Sequence, residues 1–412
     1  MSATLKHIKI NNINVPIVFE EDKHLPILNL QLVFKNSGYI QDKNKNGLAS
    51  LSAKLLNEGT KELGSTKFAQ KLEDSAISLH SNIGFETFVI ELSSIKEVND
   101  KGLKLLKQLL NDPNYDKDVL EKLKTISTGG LKRKEHDFDY IASTNLKKIL
   151  FKNTPLESPA SGTIKSISNI KLSDIENFLN KTIDLNNLII VAGGDINFKD
   201  LSKKLNSLLK DIKADNSNKF QEVKVSEKVQ TKIIKKDTQQ AYIYFGSPFY
   251  TNVSSNDNYK AKVASFILGG SGFGSRLMEE IRVKRGLAYS AYGYVSINKS
   301  HTYFTGYLQT KLESADEAKD LVIQIVDNFV KEGVTKEELD SAKNFILGSE
   351  PLRTETLSQR LHRAFTLYYR GLDFNYTEKE LEKIENLTLE ELNSYIQSHK
   401  EIKKLSFSIV RK

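Results

Sequence analysis

Apolar and polar residues alternate over positions 7–10 and again over 27–34, the period of two that a half-buried strand requires. The spacing then changes to that of a helix over 47–56 and 66–79, and alternation returns over 83–92. Leucines at 103, 105, 106, 109 and 110 make 99–110 an amphipathic helix, stopped by Asn111-Asp112-Pro113, with a further helix over 116–133. A helix starts at Ser173, and a strand over 187–192 is closed by Gly193-Gly194. Residues 214–232 are polar and poorly periodic, as a linker is. The pattern then restarts: strand 241–245, helix 259–268, strands 288–295 and 303–308, helices 314–331 and 335–347.

The restart is a repeat. Segments 99–110 and 117–124 correspond to 315–326 and 336–343, and 85–92 corresponds to 301–308, at an offset of about 213–219 residues. The spacing predicts an internal duplication: 1–213 as one domain, 214–232 as linker and 233–412 as a second domain. Hairpins segregated from helices predict α+β domains rather than alternating βαβ units.

Composition narrows the chemistry. The chain has 412 residues and no cysteine, which excludes disulfides, thiolate metal sites and a cysteine nucleophile. Sixty Lys and Arg against 52 Asp and Glu give +8, thinly spread. The basic runs, Lys132-Arg133-Lys134 and Lys235-Lys236, are short and lack interleaved aromatics, so no nucleic-acid partner is expected. No 18-residue apolar run occurs and the start lacks the apolar core of a leader. This predicts no membrane span and a cytoplasmic chain, or a periplasmic one where a leader has been removed. No two of the seven histidines lie within four residues of each other, so no metal is expected in this chain.

The loudest local feature is Gly269-Gly270-Ser271-Gly272-Phe273-Gly274-Ser275-Arg276. It lacks the Gly-Lys-Ser/Thr end of a phosphate loop, and the segment before it reads as helix, not strand. The better reading is a flexible backbone between two helices, able to approach an extended ligand closely. A helix from Ser275 should end at Gly286 and turn into a strand, which brings Arg282 near Tyr289. From the residues alone, Arg282 also suits a helix C-terminus and Tyr289 a half-buried strand position.

The run 269–294, which contains Glu280-Ile281-Arg282-Val283-Lys284-Arg285-Gly286-Leu287-Ala288-Tyr289-Ser290, resembles the second-half signature of the M16 family (pitrilysin, insulinase, mitochondrial processing peptidase). Residues 342–356 and 369–376 resemble the C-terminal stretch of its short bacterial M16B members, and 46–60 fits the frame of its HxxEH helix. The resemblance covers nearly the whole chain and implies two duplicated LuxS/MPP-like metallohydrolase domains, each a mainly antiparallel sheet with helices on one face.

Where the family places its zinc-binding His, its general-base Glu, its second His and its third ligand, this chain has Ser50, Ala53, Lys54 and Gly130. The resemblance therefore implies a chain that is inactive alone: the zinc-free subunit of a heterodimeric metalloendopeptidase acting on unfolded peptides. The partner would be an M16 chain with an intact HxxEH, holding the zinc. Arg282 and Tyr289 match the family's Arg and Tyr that hold a substrate carbonyl and its oxyanion, here in trans. Gly269, Gly270, Gly272 and Gly274 match the glycine-rich loop implied to capture peptide. The alternatives are a structural M16-like subunit without chemistry and a peptide-binding homodimer.

Overall fold

The alternation at 27–34 forms the middle of a six-stranded sheet in the computed structural model, which describes residues 3–412. Its strands are β1 (Thr4–Ile10), β2 (Ile13–Glu21), β3 (Ile27–Lys35), β4 (Ser78–Ile83), β5 (Thr87–Ile95) and β6 (Leu188–Gly194), in the order β1-β2-β6-β3-β5-β4. Only β2 and β6 run parallel. On β3, Leu28, Leu30 and Leu32 point into the core while Asn29 and Gln31 take the other face. The inward side chains meet those of helices Leu48–Leu56, Asn99–Asn111, Leu172–Thr182 and Phe198–Leu209 in one apolar cluster.

The second sheet has β7 (Thr231–Lys235), β8 (Gln240–Pro248), β9 (Ala288–Ile297), β10 (Thr302–Lys311) and β11 (Ser406–Arg411), in the order β7-β11-β8-β10-β9. Here only β7 and β11 run parallel. Its core is a separate cluster, to which helices Ala315–Glu332, Lys336–Gly348 and Leu389–Ser398 contribute. The fold class is thus α+β with two mainly antiparallel sheets.

The expected helix over 66–79 is shorter. It spans Gly64–Glu73, and Ala76 at φ +49° turns the chain into β4, whose Leu79 faces Leu92 of β5. Ile77 and Leu79 continue the helical spacing by coincidence, but they sit two apart and so also suit a strand. Gly84-Phe85-Glu86 is the connection between β4 and β5, which delays β5 to Thr87.

Two compact units emerge: Met1–Arg133 with Pro159–Gln221 and Arg353–Tyr369, and Lys134–Ser158 with Glu222–Leu352 and Arg370–Lys412. Each unit takes one segment from the other half of the sequence. In the second unit, helix Phe138–Leu150 packs on the sheet's outer face. Asp139 accepts hydrogen bonds from Tyr244 (3.2 Å) and Gln309 (2.8 Å), and the Phe138 ring lies 5.5 Å from that of Tyr242. In the first unit, Leu357 and Leu361 of helix Leu357–Arg370 approach β6 at Gly193 so closely that an added Cβ would lie about 3 Å from them. No helix of the described residues is long and apolar enough to cross a membrane.

Candidate functional site

In the second unit, helix Asn258–Ser265 leads into a π turn, Phe266–Gly270, closed by a hydrogen bond from Ser271 N–H to the Phe266 carbonyl. Gly269 is required by packing: a Cβ there would lie 2.6 Å from the Gly293 nitrogen on β9. Gly272 and Gly274 have φ of +69° and +85°, a conformation other residues rarely adopt. They carry Phe273 between them, and Phe273 is 71% exposed.

Ser275 then caps the next helix, its Oγ accepting from Met278 N–H (3.4 Å). After Arg276–Met278 the helix widens into a second π turn, Glu279–Val283, with Lys284 N–H donating to the Glu279 carbonyl (2.9 Å). Such turns add a residue and shift every side chain after them around the axis. Gly286 (φ +62°) ends the helix as expected, and β9 starts at Ala288.

This path brings Arg282 and Tyr289 together. The Arg282 guanidinium carbon lies 4.8 Å from the centre of the Tyr289 ring and 4.8 Å from that of Phe273. Arg282 is half-buried, yet among the described residues its guanidinium has no hydrogen bond or ion pair. Its neighbours differ. Arg276 makes two bonds to Glu338 (2.6 and 2.7 Å), while Lys284 and Arg285 both bind Glu280 (2.6 Å each). Those bonds, from Lys284 and then Arg285, hold the Glu280 carboxyl below its ordinary range. Tyr289 is 82% exposed, not the half-buried strand aromatic that its position also allowed. Its phenol has no hydrogen-bond partner among the described residues.

The first unit holds the positions matched to a zinc site. Helix Leu48–Leu56 presents Ser50 half-buried, Ala53 buried at 4% exposure and Lys54 at the surface. The Lys54 ammonium donates to Ser127 Oγ (3.0 Å) on helix Lys117–Arg133. Gly130 lies one turn further along that helix and offers no side chain. A hydroxyl, a methyl, an ammonium and a bare backbone do not fit zinc, which takes imidazole, thiolate or carboxylate donors. No group of three or more His, Cys, Asp or Glu that could hold a metal ion occurs among the described residues. An ammonium–hydroxyl bond thus joins the two helices that carry these four positions.

Two family models cover most of the chain: Insulinase (Peptidase family M16) over residues 17–164 and Peptidase M16 inactive domain over 169–346. A Helicobacter pylori protein described as "Non-peptidase homolog YmxG" is 44% identical over 409 residues, 99% of this chain and 94% of that protein. This chain belongs to the M16 peptidase family. The M16 fold is matched in full by solved structures. A Pseudomonas fluorescens protein described as peptidase M16 inactive domain superposes with a TM-score of 0.90 at 24% identity, over 99% of this chain and 98% of that one. A Helicobacter pylori structure described as a protease superposes at 0.86 and 16% identity, over the whole of both chains.

Sequence reasoning expected Arg282 near Tyr289, as the structure brings the two together. It missed Phe273 as a neighbour of Arg282, and the Lys54–Ser127 bond. An aromatic residue between two glycines was the available signal for the first.

Proposed function

We propose that this chain is the zinc-free subunit of a two-chain M16 metalloendopeptidase, and that it supplies Arg282 and Tyr289 to the zinc site of a partner with an intact HxxEH. The observation that carries this reading is Arg282 itself: a half-buried guanidinium with no acceptor among the described residues, next to an exposed phenol. A guanidinium whose donors no protein group takes has its N–H groups available to a ligand. Helicobacter pylori also contains two M16 folds of this length, one described as a non-peptidase and one as a protease. At 44% and 16% identity to this chain they are different proteins, and such a pair is what a two-chain enzyme needs.

The zinc of the partner supplies Lewis acidity at neutral pH. Arg282 donates in-plane N–H bonds to the carbonyl oxygen of an extended, unfolded peptide and so fixes its orientation. As a water oxygen adds to the carbonyl carbon, the C=O π pair moves onto the carbonyl oxygen, and the Tyr289 O–H donates to the negative charge gathering there. The glycines at 269, 270, 272 and 274 shape the loop beside which the peptide is captured.

Purification of the chain from native cells should recover a near-stoichiometric M16 chain bearing HxxEH, with zinc. In that complex Arg282→Ala and Tyr289→Phe should each lower peptide turnover by roughly 10²–10³ while assembly persists. Unchanged turnover in both variants refutes the shared site and leaves a structural subunit. A zinc-free homodimer that binds peptide without a partner favours the binding-protein alternative.

A further inference from the structure

Resting on that reading, we propose that Phe273 is a positioning residue of the Arg282 site: its ring, added to that of Tyr289, restricts the tilt of the guanidinium and so holds its donors toward a substrate carbonyl oxygen. Tyr289 and Phe273 lie at the same 4.8 Å from the Arg282 guanidinium carbon, one ring brought by the start of β9 and the other by the glycine loop. A guanidinium attracts aromatic rings through its faces and donates hydrogen bonds through its edge. Two rings therefore restrict how the group can tilt without using any of its five N–H donors.

The exposure of the ring points the same way. A phenylalanine at 71% exposure gains little from burial in its own unit, so its placement is not explained by packing. The two glycines that flank it adopt positive φ, and an added Cβ at Gly274 would meet nothing within 4 Å. The turn is thus built by backbone conformation rather than by crowding, and its result is to set the ring beside Arg282. The glycine loop thereby carries the residue that aims the arginine.

The test separates this inference from the reading beneath it. In the isolated chain, the Arg282 Nε–Hε resonance should show a ring-current shift that shrinks in Phe273→Leu and returns in Phe273→Tyr. In the complex, with fluorescently labelled unfolded casein as probe, Phe273→Leu should lower kcat/KM about three- to thirtyfold, with melting temperature unchanged and Phe273→Tyr close to wild type. A damaging Arg282→Ala together with a harmless Phe273→Leu, or an Arg282 resonance indifferent to residue 273, overturns the role of Phe273 alone. A harmless Arg282→Ala overturns the proposed function and this inference with it.

Discussion

Arg360 in the first unit and Arg282 in the second are both partly buried, and they are used in opposite ways. Arg360 is engaged through all three of its nitrogens. Its Nε donates to Glu20 (2.7 Å), one terminal nitrogen to Asp22 (2.6 Å) and the other to the carbonyls of Thr354 (3.4 Å) and Glu355 (2.9 Å). The hydrogen bonds lock the segment before helix Leu357–Arg370 to the end of β2. Arg282 touches two rings and donates to nothing among the described residues. Lys54 follows the pattern of Arg360, since its ammonium donates to Ser127. Lys54 and Arg360 use their donors on groups of the fold, whereas Arg282 keeps its donors open. An arginine bonded internally has committed its donors to the fold, and one held without acceptors has its donors available for a ligand.

Of single changes at the two arginines, Arg360→Ala should be the most damaging. Glu20 is only 3% exposed, and its second carboxylate oxygen has no hydrogen-bond partner among the described residues. Removing the cation leaves a buried charge, which should cost about 3–5 kcal/mol in chemical denaturation. The double variant Glu20→Gln with Arg360→Met should recover most of that loss, because the penalty belongs to the stranded charge rather than to the missing bond. A single variant as stable as wild type would refute the role given to Arg360.

A buried carboxylate in the first unit gives a smaller, pH-dependent effect. Asp42 is buried, and its carboxylate accepts from Gly47 N–H (2.7 Å) and Ala49 N–H (2.8 Å) at the start of helix Leu48–Leu56. Burial nevertheless outweighs those two bonds and pushes its pKa up to about 7. The folded state therefore binds this proton more tightly than the unfolded chain does. Its contribution to stability is full below pH ~4 and is lost as pH rises through about 7. Unfolding free energies across that window should fall by on the order of 3 kcal/mol, and Asp42→Asn should flatten the decline. A profile equally steep in the variant would place the titration elsewhere.

The sequence made some of this legible and left the rest hidden, for physical reasons. Strand β3 could be read because one of its faces is buried and the other is not, so Leu28, Leu30 and Leu32 alternate with Asn29 and Gln31. The approach of Arg282 to Tyr289 followed from Gly286 ending a helix just before a strand. The Arg360–Glu20 pair spans 340 positions, and no local rule reaches that far. Helices Phe138–Leu150 and Leu357–Arg370 went unread as elements, and amphipathic spacing names an apolar face without naming the sheet it will cover. The ring of Phe273 was hidden because its place depends on two backbone angles, not on its own hydrophobicity.

The smallest expected effect is the most discriminating. Arg282→Ala should change the unfolding free energy of the isolated chain by no more than about 0.5 kcal/mol. Two contributions nearly cancel in that figure. The variant loses the attraction of the guanidinium for the rings of Tyr289 and Phe273, about 0.5–1 kcal/mol for an exposed pair. It also relieves the cost of a half-buried cation with no hydrogen-bond acceptor among the described residues. Calorimetry on the isolated chain, beside Arg360→Ala, measures both uses of arginine on one scale. If Arg282→Ala proved as damaging as Arg360→Ala, Arg282 would be a structural cation, and the contrast on which its proposed role rests would be gone.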